Sequence, residues 1–254
     1  MDHRALATMM KKKLHTIILL LFANLAFAQN QSDTIMLGDS LKMILSPELK
    51  ATLNYAEYMD SLVQQNKNSV KVTSENYWES GQIKVMYDQD LKGGLADYNK
   101  ALDIDSTNSK VYNDRAFVYL LLNDTLRALE DYNRAIFYND SISALFSNRA
   151  SLYFEMDEME KAQNDIDKAI KLNSQSGSNY YLKGKIFFSI KEYKQSILQF
   201  ERVLELSPST IGSFHWLGLN YLELGKVAKA CKYFYKALGH NYGESKKFIE
   251  ENCE

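Results

Sequence analysis

Arg127-Ala-Leu-Glu-Asp-Tyr-Asn-Arg-Ala-Ile136 decides the fold, and it forms the second half of a unit running over Ser109–Ser141. Moving the frame by 34 residues finds the same pattern upstream and downstream. Windows set at 75–108, 109–142, 143–176, 177–210 and 211–244 align the copies. The eighth position then reads Gln82, Ala116, Ala150, Gly184, Gly218, and the eleventh Val85, Tyr119, Tyr153, Phe187, Tyr221. The twentieth reads Gly94, Ala128, Ala162, Ser196, Ala230. The twenty-fourth reads Tyr98, Tyr132, Ile166, Phe200, Phe234, and the twenty-seventh Ala101, Ala135, Ala169, Val203, Ala237. Self-similarity at such a period marks a chain built from stacked supersecondary units.

The spacing has a simple physical reading. Positions 8 and 11 are three apart and share one helix face; positions 20, 24 and 27 are four and three apart and share another. Small residues let two backbones approach, and the aromatics fill the space between one hairpin and the next. Asn123-Asp124 and Gly225 fall between the two halves of their windows, where a helix must stop and turn. Pro208, at position 32, cannot continue the helix before it. Two prolines and 11 glycines in 254 residues argue against a disordered or all-β chain.

The pattern resembles the tetratricopeptide repeat (TPR), which is large at 4, small at 8, aromatic at 11, Ala at 20, aromatic at 24, Ala at 27 and Pro at 32. Tyr180, Gly184, Phe187, Phe200 and Pro208 match in the fourth window; Phe214, Gly218, Tyr221, Ala230, Phe234 and Ala237 match in the fifth. Gln82 and Gly94 depart from it in the first copy, and four copies lack the Pro. The resemblance implies an all-α, right-handed α-solenoid of about five helix hairpins. Capping helices are expected at both ends, the C-terminal one over 244–254.

In such arrays the first helix of each hairpin lines a concave groove, at positions 2, 5, 9, 12 and 13. Carried over, position 5 gives Glu79, Asn113, Ser147, Tyr181 and His215, and position 9 gives Ile83, Phe117, Ser151, Lys185 and Leu219. Position 12 adds Phe154 and Phe188. The family's carboxylate clamp is not assembled, since only Asn113 and Lys185 are of the right type and they lie two repeats apart. The groove reads as apolar and aromatic, edged by Glu79, Glu155 and Glu223. Arg115 and Arg149, at position 7, read as structural. Asp131 reads as solvated or bridging neighbouring turns, and Asp165-Ile-Asp167 as a solvated charged face.

Met10–Ala28 carries a basic start, an apolar stretch and Ala26-Phe27-Ala28. This is the pattern of a secretory signal peptide occupying 1–28, cleaved after Ala28, and it places the chain in the periplasm or outside the cell. No stable membrane span is expected after cleavage. Residues 29–74 read as a flexible start and a capping helix over about Pro47–Gln65, opened by Ser46-Pro47-Glu48. Net charge is −2; removing Met1–Ala28 changes 30 basic and 32 acidic residues to 26 and 31, a net of −5. That balance gives no footprint for nucleic acid.

Cys231 and Cys253 lie 10 residues before and 12 after Asn241. Helices folding back about that turn bring the cysteines opposite each other, and an exported chain permits a disulfide. Free thiols, or a dimer through Cys253, are the alternatives. Beyond the signal only His215 and His240 remain, with no Cys-x-x-Cys, P-loop, G-x-S-x-G or G-x-G-x-x-G. No catalytic, cofactor or metal residues are therefore assigned. The expectation is a non-catalytic scaffold that binds a protein or peptide in the groove. A self-associating component of the cell envelope is the alternative.

Overall fold

A computed structural model describes residues 73–240 and 242–253. The expected signal segment and the helix expected near Pro47–Gln65 lie outside them. Among the described residues there are eleven helices and no strand. They are α1 (Ser74–Met86), α2 (Leu91–Ile104), α3 (Ser109–Leu121), α4 (Thr125–Tyr138), α5 (Ser143–Glu155) and α6 (Met159–Leu172). Then come α7 (Gly177–Ser189), α8 (Tyr193–Leu206), α9 (Gly212–Glu223), α10 (Val227–Gly239) and the short α11 (Ser245–Asn252). Consecutive pairs from α1 to α10 make five hairpins, each packed on the next. None of these helices is long and apolar enough to cross a membrane.

All five hairpins turn on a residue in the left-handed region: Gln89, Asn123, Asp157, Lys191 and Gly225, at φ between 54° and 68°. In the last four, the next N–H reaches back five residues, as Asp124 does to the Tyr119 carbonyl at 2.8 Å. Asp90 and Asp124 then cap α2 and α4 by accepting from the backbone N–H groups of Gly93 and Arg127. The left-handed region costs an L-residue about 1–2 kcal/mol, against which glycine's extra chain entropy offsets about 0.5–1 kcal/mol. Nothing lies within 4 Å of a Cβ built at Gly225, so its replacement tests the backbone alone. Gly225→Ala should lower stability by about 0.5–1 kcal/mol and Lys191→Gly should raise it by a similar amount. Urea titration of the two variants measures both.

Small residues at position 8 face large ones at position 24. A Cβ on Gly218 would lie 2.5 Å from the Phe234 ring, and one on Gly184 2.8 Å from Phe200. In the first hairpin the small residue is Gly81, not Gln82: its Cβ would meet Tyr98 at 2.5 Å. The physical reason is one extra residue before the turn. The Asp90 N–H reaches back six residues to Lys84, where the other hairpins reach back five. Tyr77, Trp78, Gly81 and Gln82 thus stand one residue early against the 34-residue frame.

A polar seam runs between the two helices of the second and third units. Arg115 forks onto both carboxylate oxygens of Asp131 at 2.7 and 2.8 Å and reaches back to Asn99 of the preceding hairpin at 2.7 Å. Arg149 repeats this with Asp165 and Asn133. Lys183 keeps only the backward contact, to Asp167 at 2.7 Å. The Asp165 bond holds the Arg149 guanidinium above its ordinary pKa. Arg115 and Arg149 are structural, as their position indicates. Asp131 and Asp165, however, are buried partners of those arginines and not solvated charges.

The aromatic at position 4 carries a cation from position 26 in every hairpin. The pairs are Lys100 over Tyr77, Arg134 over Tyr112, Lys168 over Phe146, Arg202 over Tyr180 and Lys236 over Phe214, at 5.0 to 5.8 Å. Tyr77 stands one residue early, as the displaced α1 requires. In the fifth hairpin the Arg–Asp pair is replaced by the ring of Tyr233, which stacks near Phe214 and Tyr221.

The array closes at α11, which packs on α10. Phe248 stacks on Phe234 at 5.3 Å, and Cys231 is bonded to Cys253 with their Cα atoms 5.6 Å apart. The outer side of α11 carries Lys246, Lys247, Glu250 and Glu251, which pair along the helix at i, i+4.

Candidate peptide groove

The first helices of the five hairpins, α1, α3, α5, α7 and α9, stand in a row joined by side-chain hydrogen bonds. From α1, Trp78 Nε1 and Gln82 Nε2 each donate to Asp114 Oδ2 on α3 at 2.8 Å. Asn113 donates to the other Asp114 oxygen and accepts from Asn148 on α5 at 2.8 Å. Asn179 on α7 donates to Ser143 on α5, and Trp216 Nε1 on α9 donates to Tyr181 on α7 at 2.8 Å. The row is a polar ladder in its first half and turns aromatic in its second.

The residues expected in the groove fall into three groups. Asn113, Ser147, Ser151, Phe154, Tyr181, Lys185, Phe188 and Leu219 are half-buried on these helices, and Phe117 is 52% exposed. Lys185 Nζ lies 4.8 Å from the Phe154 ring centre, and Phe188 packs edge-on against Trp216 and Tyr193. Contacts join Phe154 to Lys185 and, through Trp216, Tyr181 to Phe188.

Glu79 and Ile83 do not hold the places expected of them. The one-residue displacement of α1 gives those places to Trp78 and Gln82, which make the bonds to α3. His215 is also misplaced by the repeat frame: it is only 5% exposed and lies beneath the cap. Its Nδ1 is 2.9 Å from Ser245 Oγ, and its ring touches Phe234, Tyr242 and Phe248. The cause is that α11 takes the position a sixth first helix would occupy, and position 5 faces the next first helix.

Burial lowers the His215 pKa, partly opposed by the Glu244 carboxylate. The unfolded chain therefore binds a proton more readily than the folded one. Stability is full above the ordinary histidine value of about 6.5 and falls as pH drops from there towards the folded-state value. Its slope reaches at most about 1.4 kcal/mol per pH unit. His215→Gln should lose that dependence, and thermal unfolding at pH 7.5 and 5.5 measures the difference.

Asp114, Asn148 and Trp216 were not among the expected groove residues. All three stand at position 6, next to the position carried over from the family pattern. Position 6 reads Asp114, Asn148, Leu182 and Trp216, so no recurring residue type locates them in the sequence.

Family models described as tetratricopeptide repeat match residues 97–130, 144–176, 177–210 and 211–239, just over half of the chain. The chain belongs to the TPR family. The TPR array is similar to a crystal structure of MamA, 25% identical with a TM-score of 0.59, covering 65% of this chain and 96% of that one. It is also similar to YrrB, described as a TPR protein with an unusual peptide-binding site. That match is 20% identical with a TM-score of 0.59, covering 73% of this chain and 93% of YrrB. A TPR protein from Parabacteroides merdae is 21% identical with a TM-score of 0.62, covering 73% of this chain and 72% of that one. These last two likenesses establish the fold. No curated protein matches the chain.

Proposed function

We propose that this TPR protein is an exported, non-catalytic adaptor that takes a protein or peptide partner in the groove lined by α3, α5, α7 and α9. The carrying observation is that Phe117, Phe154, Lys185, Tyr181 and Phe188 stay partly exposed on first helices already tied side by side. Apolar anchors on a preformed surface suit an extended or helical segment, and a few buried aromatics carry most of such binding. The peptide-binding site named for YrrB is in keeping with this use of the fold.

Phe117→Ala tests it. The ring is half exposed, so unfolding should shift by no more than about 0.5 kcal/mol. Capture of partner from the native compartment should fall at least about tenfold, the loss expected of a binding hot spot. Undiminished capture would count against the groove.

Export rests on the Met10–Ala28 pattern and is in keeping with the Cys231–Cys253 bond, since disulfides persist in oxidising compartments. Protein purified from its host should begin at Gln29, and a chain still beginning at Met1 or Met10 would contradict export. A second reading, self-association, is favoured by Leu126 and Phe137, which are 77% and 81% exposed on α4. Light scattering over a dilution series separates the two readings, because only self-association gives a concentration-dependent mass.

A further inference from the structure

The second helices of the five hairpins differ in charge. α2 carries two basic and two acidic residues, α4 two and two, α6 three and three, and α8 two and two, so each of these helices is neutral. α10 carries Lys229, Lys232 and Lys236 and no acid, which puts +3 on one helix of a chain whose net charge is −2. The three lysines fall at i, i+3 and i+7 and so form one stripe along the helix. All three are exposed, and among the described residues none has an ion-pair partner.

Aromatic rings border the stripe. In the second and third hairpins position 23 holds the Asp that receives the arginine of position 7. Here the two positions hold Tyr233 and Leu217, so the acid that balances the other second helices is missing. Tyr233 stacks with both Phe214 and Tyr221, at 6.5 and 5.5 Å between ring centres. Lys236 lies over Phe214 and Tyr233 at 5.5 and 5.7 Å, and Lys229 over Tyr221 at 5.3 Å. A ring face orients a cation without neutralising it. The hydroxyls of Tyr221 and Tyr233 have no hydrogen-bond partner among the described residues. Burial, and after it the Glu201 carboxylate of α8, raises the pKa of Tyr221, and burial raises that of Tyr233, so both hydroxyls keep a proton to donate.

We infer that this face of α10 is a binding surface for an acidic polysaccharide. Its carboxylates accept from the lysine ammonium groups, and its hydroxyls pair with those of Tyr221 and Tyr233. The charge is a line, with successive lysines about 4.5 and 6 Å apart along the helix axis, the scale of one sugar ring. Acids flank that line: Glu201 acts on the tyrosines from α8, and α11, packed on α10, carries Glu250 and Glu251. A broad anionic membrane would meet those acids as well as the lysines, whereas a single polymer strand would not. The ring faces are occupied by one another and by lysine, which leaves none for the stacking of nucleic-acid bases. This surface lies on a second helix and does not depend on the groove.

The test is affinity electrophoresis of the full chain, disulfide intact, through polygalacturonate, which carries a carboxylate on every sugar. The chain should be retarded at low salt and released as salt rises. Replacing Lys229, Lys232 and Lys236 together by Gln should weaken binding on the order of a hundredfold, at roughly fivefold per lysine against an anionic surface. Replacing them together by Arg should preserve it. Replacing Lys92, Lys168 and Lys171 by Gln, the same loss of charge on α2 and α6, should leave retardation in place. Tyr221→Phe with Tyr233→Phe should weaken binding to polygalacturonate and not to polyacrylate, which has carboxylates without hydroxyls.

Absence of retardation would overturn the inference, as would an equal loss from the two lysine-to-glutamine triples. Tighter binding of single-stranded DNA or of phosphatidylglycerol vesicles than of polygalacturonate would overturn the choice of partner. So would a tyrosine double variant that binds polygalacturonate as before.

Discussion

Asp131→Ala should lower the stability of the array by about 3–5 kcal/mol, the cost of leaving a buried charge without its partner. The Arg115 side chain is 16% exposed and Asp131 only 4%, so water cannot replace the lost carboxylate where it sat. Arg115 also binds Asn99 in the preceding hairpin, and its guanidinium lies 5.5 and 5.9 Å from the ring centres of Tyr112 and Tyr119. Removing Asp131 therefore disturbs the packing of α3 on α4 and the joint with α2. In a linear array each unit contacts only its neighbours, so damage should concentrate in the first three hairpins. Hydrogen exchange should show α2–α5 opening first, with α9–α11 protected as before. Replacing Arg115 and Asp131 together by Leu and Val should cost less than Asp131→Ala alone, because it removes the orphaned charge.

Cys253→Ser should cost about 3 kcal/mol, the value for a closed loop of 22 residues in the chain-entropy model. A thiol reductant should produce the same loss in the unaltered protein and none further in the variant. The effect should be local. α11 has eight residues, too few to hold a helix alone in water, and its remaining anchors are Phe248 and the His215–Ser245 bond. Loss of the bond should speed exchange over α10 and α11 while α1–α6 keep their protection. Comparing urea titration curves with and without reductant gives the magnitude.

The hairpins were legible in the sequence because they rest on contacts inside one 34-residue unit. Ala128, Tyr132 and Ala135 sit at fixed helical spacing, and their burial needs nothing beyond the partner helix and the next unit. Arg127–Ile136 holds a further lesson in Asp131. It reads as one more surface charge until Arg115 is placed opposite, 16 residues away on the preceding helix. The recurrence of that spacing at Arg149 and Asp165 is the signal that separates it from Glu130, which pairs only with Arg134 on its own helix.

Two features defeated a fixed frame. Gly81 lies beside Gln82, and one inserted residue before the turn moves the side chains of Tyr77–Gln82 by about 100° against the frame. Tyr77 and Gly81, spaced by four, carry the large-small pair one residue early, while Val85 keeps the eleventh position and faces Gly94. His215 was misassigned for another reason. A repeat pattern describes an interior unit, whereas the fifth hairpin is terminal, and α11 covers what would otherwise be groove. The groove itself is only partly legible, because its residues face a partner and so follow no packing rule within the chain.

The most direct measurement is photo-crosslinking in the native compartment, with p-benzoylphenylalanine in place of Phe117 in the groove or of Lys171 on the outer side of α6. The groove position should give a defined covalent adduct with another polypeptide, and Lys171 should give none. That adduct should disappear when a peptide selected for binding to the groove is present in excess. Equal adducts from both positions, or an adduct at Lys171 alone, would contradict the concave groove as the surface through which this TPR protein works.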